Sequence, residues 1–573
     1  MGGVSRRGGV SGWENSVMAR TYRPVDREQE FLLPPSMVDW LAEDHLVWFV
    51  IEAVRRLDTS RFHRLAKLGG VGRRGYDPDM LLTLFVYAMA HGESSSRRIE
   101  RLCGTDVAFR VICAQDVPDH TVLARFRKVH QDALTDLLTE SLVLAAELGM
   151  VSLGTVAFDG TKIAGNASRD ANRSESYLRR QAEQFVSRVA DNDEAEDVLF
   201  GEDERGDELP EQVRDRSGRS ERIEAALEQI AQRRAAGQEQ TREQQQRARE
   251  CERAVVEGSK GRGRYPKGVD RVGLAKARWQ RERDQAAERY EQWRAAGQRG
   301  ERRRGGAPSR PDEHHRVRKA WASYQAEVAA AAKNKDSAAD GAGGAEGGGA
   351  GQDVTGSGSA GAQGNQEERF IANLTDPDSR LLKTRNGWVQ GYNCQTATSE
   401  DGFILSARAT QDSNDVEQFV PTMDDVSTTC QVLAERTGRD ELQHVGTMIG
   451  DAGYDSEANL QAEGPDRLIA DGKRRTMETR AALDPAAGDP PAQTTAREKM
   501  NHRLRTPEGL ALYRRRSHLV EAPNAWLKDG RGLRRFSRRG LSATQAELSI
   551  ASAVTNLLKI ASHGITAAQL RTT

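Results

Sequence analysis

Residues 156–168 read VAFDGTKIAGNAS, and the fold turns on how they are read. Val156, Ala157 and Phe158 look like the end of a buried strand, and the next residue is a carboxylate, Asp159. After Ser168 the chain leaves globular composition and does not return to it until near residue 370. In an open α/β sheet, ligand sites form at the carboxyl ends of strands, so an acid there is a candidate for chemistry. The bland alternative makes Asp159-Gly160 a hairpin turn.

Outward from that stretch, residues 1–28 read as a loose tail and residues 29–150 as a separate all-helical domain. Ser36 with Asp39, then Asp44, mark helix starts. Asp77-Pro78 opens a strongly apolar helix that Gly92 closes. Shorter helices are expected at 95–103, 106–113 and 119–133, the last carrying Arg125, Arg127, Lys128 and His130. Short helices at tight turns fit a helix-turn-helix-like unit that would place Arg125 and Lys128 on DNA; an ordinary bundle with a solvated basic face fits equally. Residues 169–328 are rich in Arg, Glu, Gln and Ala with a thin apolar stripe, which predicts long exposed helices. Residues 329–369 form a Gly/Ala/Ser-rich flexible linker. Beyond it, two strands flank a Glu400-Asp401-Gly402 turn, a helix covers 414–437, and a strand ends at a second acid, Asp451. A short strand in RLIADGK, the stretch LALYRRRSHLVEAPNAWLKDG and a last helix over 543–562 complete a core at 151–168 and 370–562, with a tail at 563–573. Adjacent strands followed by crossover units predict a mixed sheet flanked by helices.

Asp159 and Asp451 therefore both end apolar runs. On neighbouring strands two such carboxylates repel unless a cation lies between them, and Mg²⁺ suits an all-oxygen site. Two ions roughly 3.5–4 Å apart would stabilise the attacking and leaving oxygens of a phosphoryl displacement. A third acid, Glu521, is spaced seven residues from both Arg514 and Lys528, about two helical turns, so metal ligand and phosphate-binding cations would share one face. Pro523 interrupts that face with a kink, or the helix begins near Glu521. Asp451 as a helix cap and Glu521 as a surface residue are the competing readings. Between 501 and 540 the chain has eleven Arg/Lys against three Asp/Glu, densest in DGRGLRRFSRRG, which suits a bound DNA backbone, with a solubilising surface run as the bland alternative. Trp526 is expected in the core, with base stacking as the alternative.

The 573 residues carry a formal net charge of −1, so no global nucleic-acid signature exists and basic surfaces must be local. The five cysteines are scattered without metal-ligand spacing, which predicts reduced thiols in a cytoplasmic protein. No run approaches about eighteen apolar residues, so no membrane span is expected.

At FDGTKIAGNAS, GDAGYDS and YRRRSHLVEAPNAWLK the chain resembles bacterial insertion-sequence DDE transposases. Tyr513, Arg516, Glu521 and Lys528 match the family's Tyr-Arg-Glu-Lys signature in order, with one residue more than usual between Arg516 and Glu521. The resemblance covers 29–168 and 370–562 and leaves the insertion unmatched. It implies a ribonuclease-H-like core, with Asp159, Asp451 and Glu521 as catalytic residues holding two Mg²⁺, for which Mn²⁺ substitutes. Tyr513, Arg514, Arg516, Lys528, Arg534 and Arg535 are expected on DNA. The implied partners are terminal inverted repeats, target DNA and a second protomer, in a nucleoid-associated enzyme with no membrane partner. The alternative is a catalytically silent DNA-binding descendant.

Overall fold

A computed structural model describes residues 25, 37–65, 74–184, 211–256, 265–266, 268–298, 307–340, 370–491 and 494–572. Apart from Val25, the expected N-terminal tail lies outside the described residues, as does the expected linker from 341 to 369. The chain divides into two compact units. One comprises Met1–Arg173, Val198–Ala226 and Ala372–Thr573; the other comprises Ser174–Asp197 and Leu227–Ile371.

The first unit begins with helices α1 (Leu46–Arg56), α2 (Pro78–Ala90), α3 (Ser96–Thr105), α4 (Val107–Ile112), α5 (His120–Val129) and α6 (Gln131–Glu147). Asp77 caps α2, its carboxylate accepting from the Asp79 amide at 2.8 Å with Pro78 at the first turn. The cap of α1 is His45 rather than the expected Asp44: its Nδ1 accepts from the Val47 amide.

A six-stranded mixed sheet follows: β1 (Thr155–Ala164), β2 (Arg380–Thr384), β3 (Gly387–Ser399), β4 (Ile404–Thr410), β5 (Thr447–Gly450) and β6 (Asp466–Ile469). The order is β2-β3-β1-β5-β6, with β4 also on β3. β1 runs antiparallel to β3 and parallel to β5, and β5 is parallel to β6. With helices around it, this arrangement is consistent with a ribonuclease-H-like core.

β1 does not end at Asp159. Its parallel pairing with β5 is recorded from Thr155 to Ala157, but its antiparallel pairing with β3 continues to Ala164. Asp159 sits opposite Thr396 inside that ladder, so Asp159-Gly160 is no turn. The strand outlives its apolar run because β3 keeps supplying backbone partners.

The helical region shares its core with the sheet. One continuous core joins Leu134 and Leu142 of α6, Ile404 of β4 and Val554 and Leu557 of α13 (Leu541–Ser562). Buried Asn556 ties the three elements together. Its amide exchanges hydrogen bonds with the Ile404 backbone at 2.9 and 3.0 Å and donates to Ser141 Oγ at 3.2 Å. The apolar faces of α2 and α6 are too broad to be covered by their own neighbours, so they share the sheet's core.

The second unit contains α8 (Arg271–Gln298), α9 (His315–Asp340) and most of α7 (Glu211–Val256). Long helices were expected there, and α9 runs through 329–340, where the linker was expected to begin.

Candidate active site

β1 delivers Asp159, and the end of β5 delivers Asp451, because the two strands lie side by side. Asp451 Oδ1 accepts from the Gly453 amide at 2.8 Å, so the residue also caps a short turn. The Arg516 guanidinium stands between the carboxylates: Nη2 lies 2.7 Å from Asp159 Oδ1 and 3.4 Å from Asp451 Oδ2. It also donates to the Phe158 carbonyl at 3.1 Å. Arg516 opens helix α12 (Arg516–Ala525), which lays Leu519 and Val520 on Ala157 of β1. Two turns on, Asn524 Nδ2 donates to Asp159 Oδ2 at 2.6 Å. Lys528, in a π-helical turn over Trp526–Gly530, donates to Thr161 Oγ1. A residue shift of two along β1 is thus matched by one helical turn from Asn524 to Lys528.

A third carboxylate, not singled out in the sequence, belongs to this neighbourhood. Asp415 Oδ1 accepts from Asn393 Nδ2 and Gln395 Nε2, both at 2.8 Å. Gln395 lies opposite Gly160 on β3 and accepts from the buried Tyr454 hydroxyl. A Cβ on Gly160 would meet Asp415 Oδ1 at 2.5 Å, and one on Gly453 would meet Asp451 Oδ1 at 2.9 Å and Asp415 Oδ2 at 3.6 Å. Glycine at both positions lets the acids close in. The available signal was DSND, 412–415, just after β4 and at the start of the helix expected over 414–437.

Burial pushes the Asp159 carboxyl up to about 6; Arg516 opposes this, and the charges of Asp451 and Asp415 add to it. Tyr454 is held well above its ordinary value by burial and by the same three aspartates. The oxygens that could hold a divalent cation are these carboxylates and Asn524 Oδ1, which is buried without a hydrogen-bond partner. That donor set suits a hard cation. Among the described residues, His63, Asp77 and Asp79, and likewise Glu100, Asp119 and His120, bring ligand atoms within 4.8 Å of one another. In those groups Asp77 and Asp119 already cap helices. Asp159, Asp451 and Asp415 do not form a group of that closeness, and Arg516 stands between two of them.

The remaining predicted residues divide. Glu521 is on α12 but exposed, with no hydrogen bond or ion pair to a described residue, three positions before Asn524. Arg514 does not share its face: a turn at Arg515 separates α11 (Pro507–Arg514) from α12, and Arg514 pairs with Glu478 at 3.1 Å. Tyr513 is buried, which raises its hydroxyl's pKa. Pro523 is accommodated inside α12 without ending it. Trp526 is 37% exposed rather than in the core, with Lys559 Nζ 5.7 Å from its ring centre.

The basic run is only partly free. Arg531 donates to the Ala90 carbonyl at 2.6 Å and Arg538 to the Arg127 carbonyl at 3.2 Å, and burial lowers the pKa of both. Arg534 pairs with Asp529, while Arg535, Arg125 and Lys128 are exposed. Arg127 turns inward, donating to the Ser94 carbonyl at 2.9 Å and Ser96 Oγ at 2.8 Å. All five cysteines are free thiols, and no described helix is long and apolar enough to cross a membrane.

Two family models match the chain. A transposase domain (DUF772) matches residues 36–129, and a transposase DDE domain matches residues 488–561, a span that includes Tyr513, Arg516, Glu521 and Lys528. No curated protein and no solved structure matches it. Together the two matches support an insertion-sequence DDE transposase.

Proposed function

We infer that this transposase binds the ends of its insertion sequence and carries out Mg²⁺-dependent strand cleavage and strand transfer, with Asp159, Asp451 and Glu521 as the catalytic acids. One observation carries the reading: Asp159 and Asp451, nearly three hundred positions apart, converge on the same guanidinium nitrogen. A bound pair of divalent ions would neutralise the carboxylates and stabilise charge on the attacking and leaving oxygens. Glu521 is supported by its place one turn from Asn524, since helix positions three apart are neighbours on the surface. Arg516 holds Asp159 in orientation and offsets the repulsion between the two carboxylates. Lys528 and Arg535 are cations for the DNA backbone. Water attacks the phosphodiester at the element's end and leaves a 3′-hydroxyl. That hydroxyl then attacks a target phosphodiester, so one bond forms as one breaks and no covalent enzyme intermediate is needed. A second protomer in the synaptic complex and association with the nucleoid belong to the same reading.

The test is cleavage of a DNA fragment carrying the element's own ends, with and without Mg²⁺. Asp159→Asn and Asp451→Asn should stop cutting and leave binding largely intact. Cutting by Asp451→Asn at the wild-type rate would overturn the site. The exposed, unpaired Glu521 favours a second reading, a DNA-binding protein without chemistry. That reading requires the wild-type chain to bind the ends and never cut them.

A further inference from the structure

We propose that the seam between α8 and α9 binds the phosphodiester backbone of DNA. The proposal rests on the reading that the chain acts on DNA, and it assigns a role to the charged insertion. α8 presents Arg271, Leu274, Ala275, Arg278 and Arg281 at three- and four-residue spacing, and α9 presents Arg316, Lys319, Ala320, Ser323 and Glu327. Such facing stripes are ordinarily apolar. Here they enclose a cavity of about 310 Å³ lined by five cations and only two acids, Glu282 and Glu327.

The acids do not quench the cations. Glu282 Oε2 is buried without a hydrogen-bond partner, and no ion pair to a described residue holds Arg271, Arg278, Arg316 or Lys319. The pair of helices is held instead by aromatic rings, Trp279 of α8 against Trp321 and Tyr324 of α9 at 4.7 and 6.4 Å between centres. Arg278 is steadied over the Tyr265 ring at 5.9 Å. Like charges gathered along a helix seam repel unless an anion lies among them, and a guanidinium cluster matches phosphate oxygens. A duplex backbone supplies successive phosphates, so it can engage both helices at once.

The experiment measures equilibrium binding of the full chain to an element-end duplex over a range of salt. Removing two phosphate contacts with Arg316→Gln and Lys319→Gln should reduce the slope of log K against log salt by about 1.8 and weaken binding about tenfold or more at moderate salt. Both positions are exposed, and the charge-keeping pair Arg316→Lys and Lys319→Arg should restore the wild-type slope. Affinity and slope unchanged in the neutral pair overturn the proposal. A titration with inorganic phosphate covers the other source of the same chemistry: uptake lost in the neutral pair, with DNA binding untouched, makes this a free-anion site and overturns the DNA assignment. Failure of the wild-type chain to cut with Mg²⁺ would instead strike the catalytic reading, since the binding comparison does not depend on it.

Discussion

The sheet and the insertion use charge in opposite ways. In the sheet, charged groups are few, partly buried and each engaged: Asp159 has Arg516 and Asn524, and Asp415 has Asn393 and Gln395. In the α8–α9 seam, four cations crowd one cavity without ion pairs to described residues. Packing differs in the same sense. Val156, Ala157 and Phe158 of β1 are fully buried, whereas the buried apolar residues of α8 are Leu274, Ala275 and Ala286. A core rigid enough to hold carboxylates at defined distances is built from large apolar contacts. A helix pair that presents cations to an extended polyanion needs far less of that precision.

The comparison can be broken first at the core. Phe158 is fully buried against Phe419 and Tyr454, so Phe158→Ala should destabilise the first unit by about 3–5 kcal/mol in a denaturant titration. A change below about 1 kcal/mol would mean that the sheet is no more tightly packed than the insertion. Next come the acids. Asp159→Asn should stop detectable cleavage, a loss of at least about 10²–10³-fold, in line with the loss of one electrostatic stabiliser, with little change in DNA binding.

Smaller again is Asp415→Asn, expected to lower cleavage about 10–100-fold, as loss of a supporting hydrogen-bond partner does in metal sites. It should also move the pH profile. Asp159 is raised to about 6, and only its ionised form accepts a cation, so cleavage should fall as pH drops through about 6 and level off above it. Removing the Asp415 charge takes away one influence that raises Asp159, so the midpoint should shift to lower pH. A midpoint that stays put, or rises, would detach Asp415 from the site. The smallest effect belongs to the insertion's surface. Arg247 and Glu243 approach to 3.6 Å while largely exposed, and Arg247→Ala should change stability by less than about 0.5 kcal/mol.

Several features were legible because they are local. Asp77-Pro78, Gly92 and the Glu400-Asp401-Gly402 turn rest on backbone chemistry that a few neighbouring residues dictate. Asp159 and Asp451 stood out because each follows a short apolar run. Asp415 did not, because its partners Asn393 and Gln395 lie on another strand and the glycines that admit it come from two further segments. The arginine run 531–539 read as one basic surface, yet carbonyls at the end of α2 and on α5 claim Arg531 and Arg538.

The sequence by itself determined several helix starts and turns, the interruption after Ser168 and the two acids that follow short apolar runs, since hydrophobic period, caps and turns are short-range properties of the chain. Only the tertiary structure decided that β1 runs on past Asp159, that the helical region shares the sheet's core, that Arg516 and not Arg514 faces the acids, and that Asp415 joins them. Those outcomes depend on strand pairing and on which surfaces must cover one another, and both are settled between residues hundreds of positions apart.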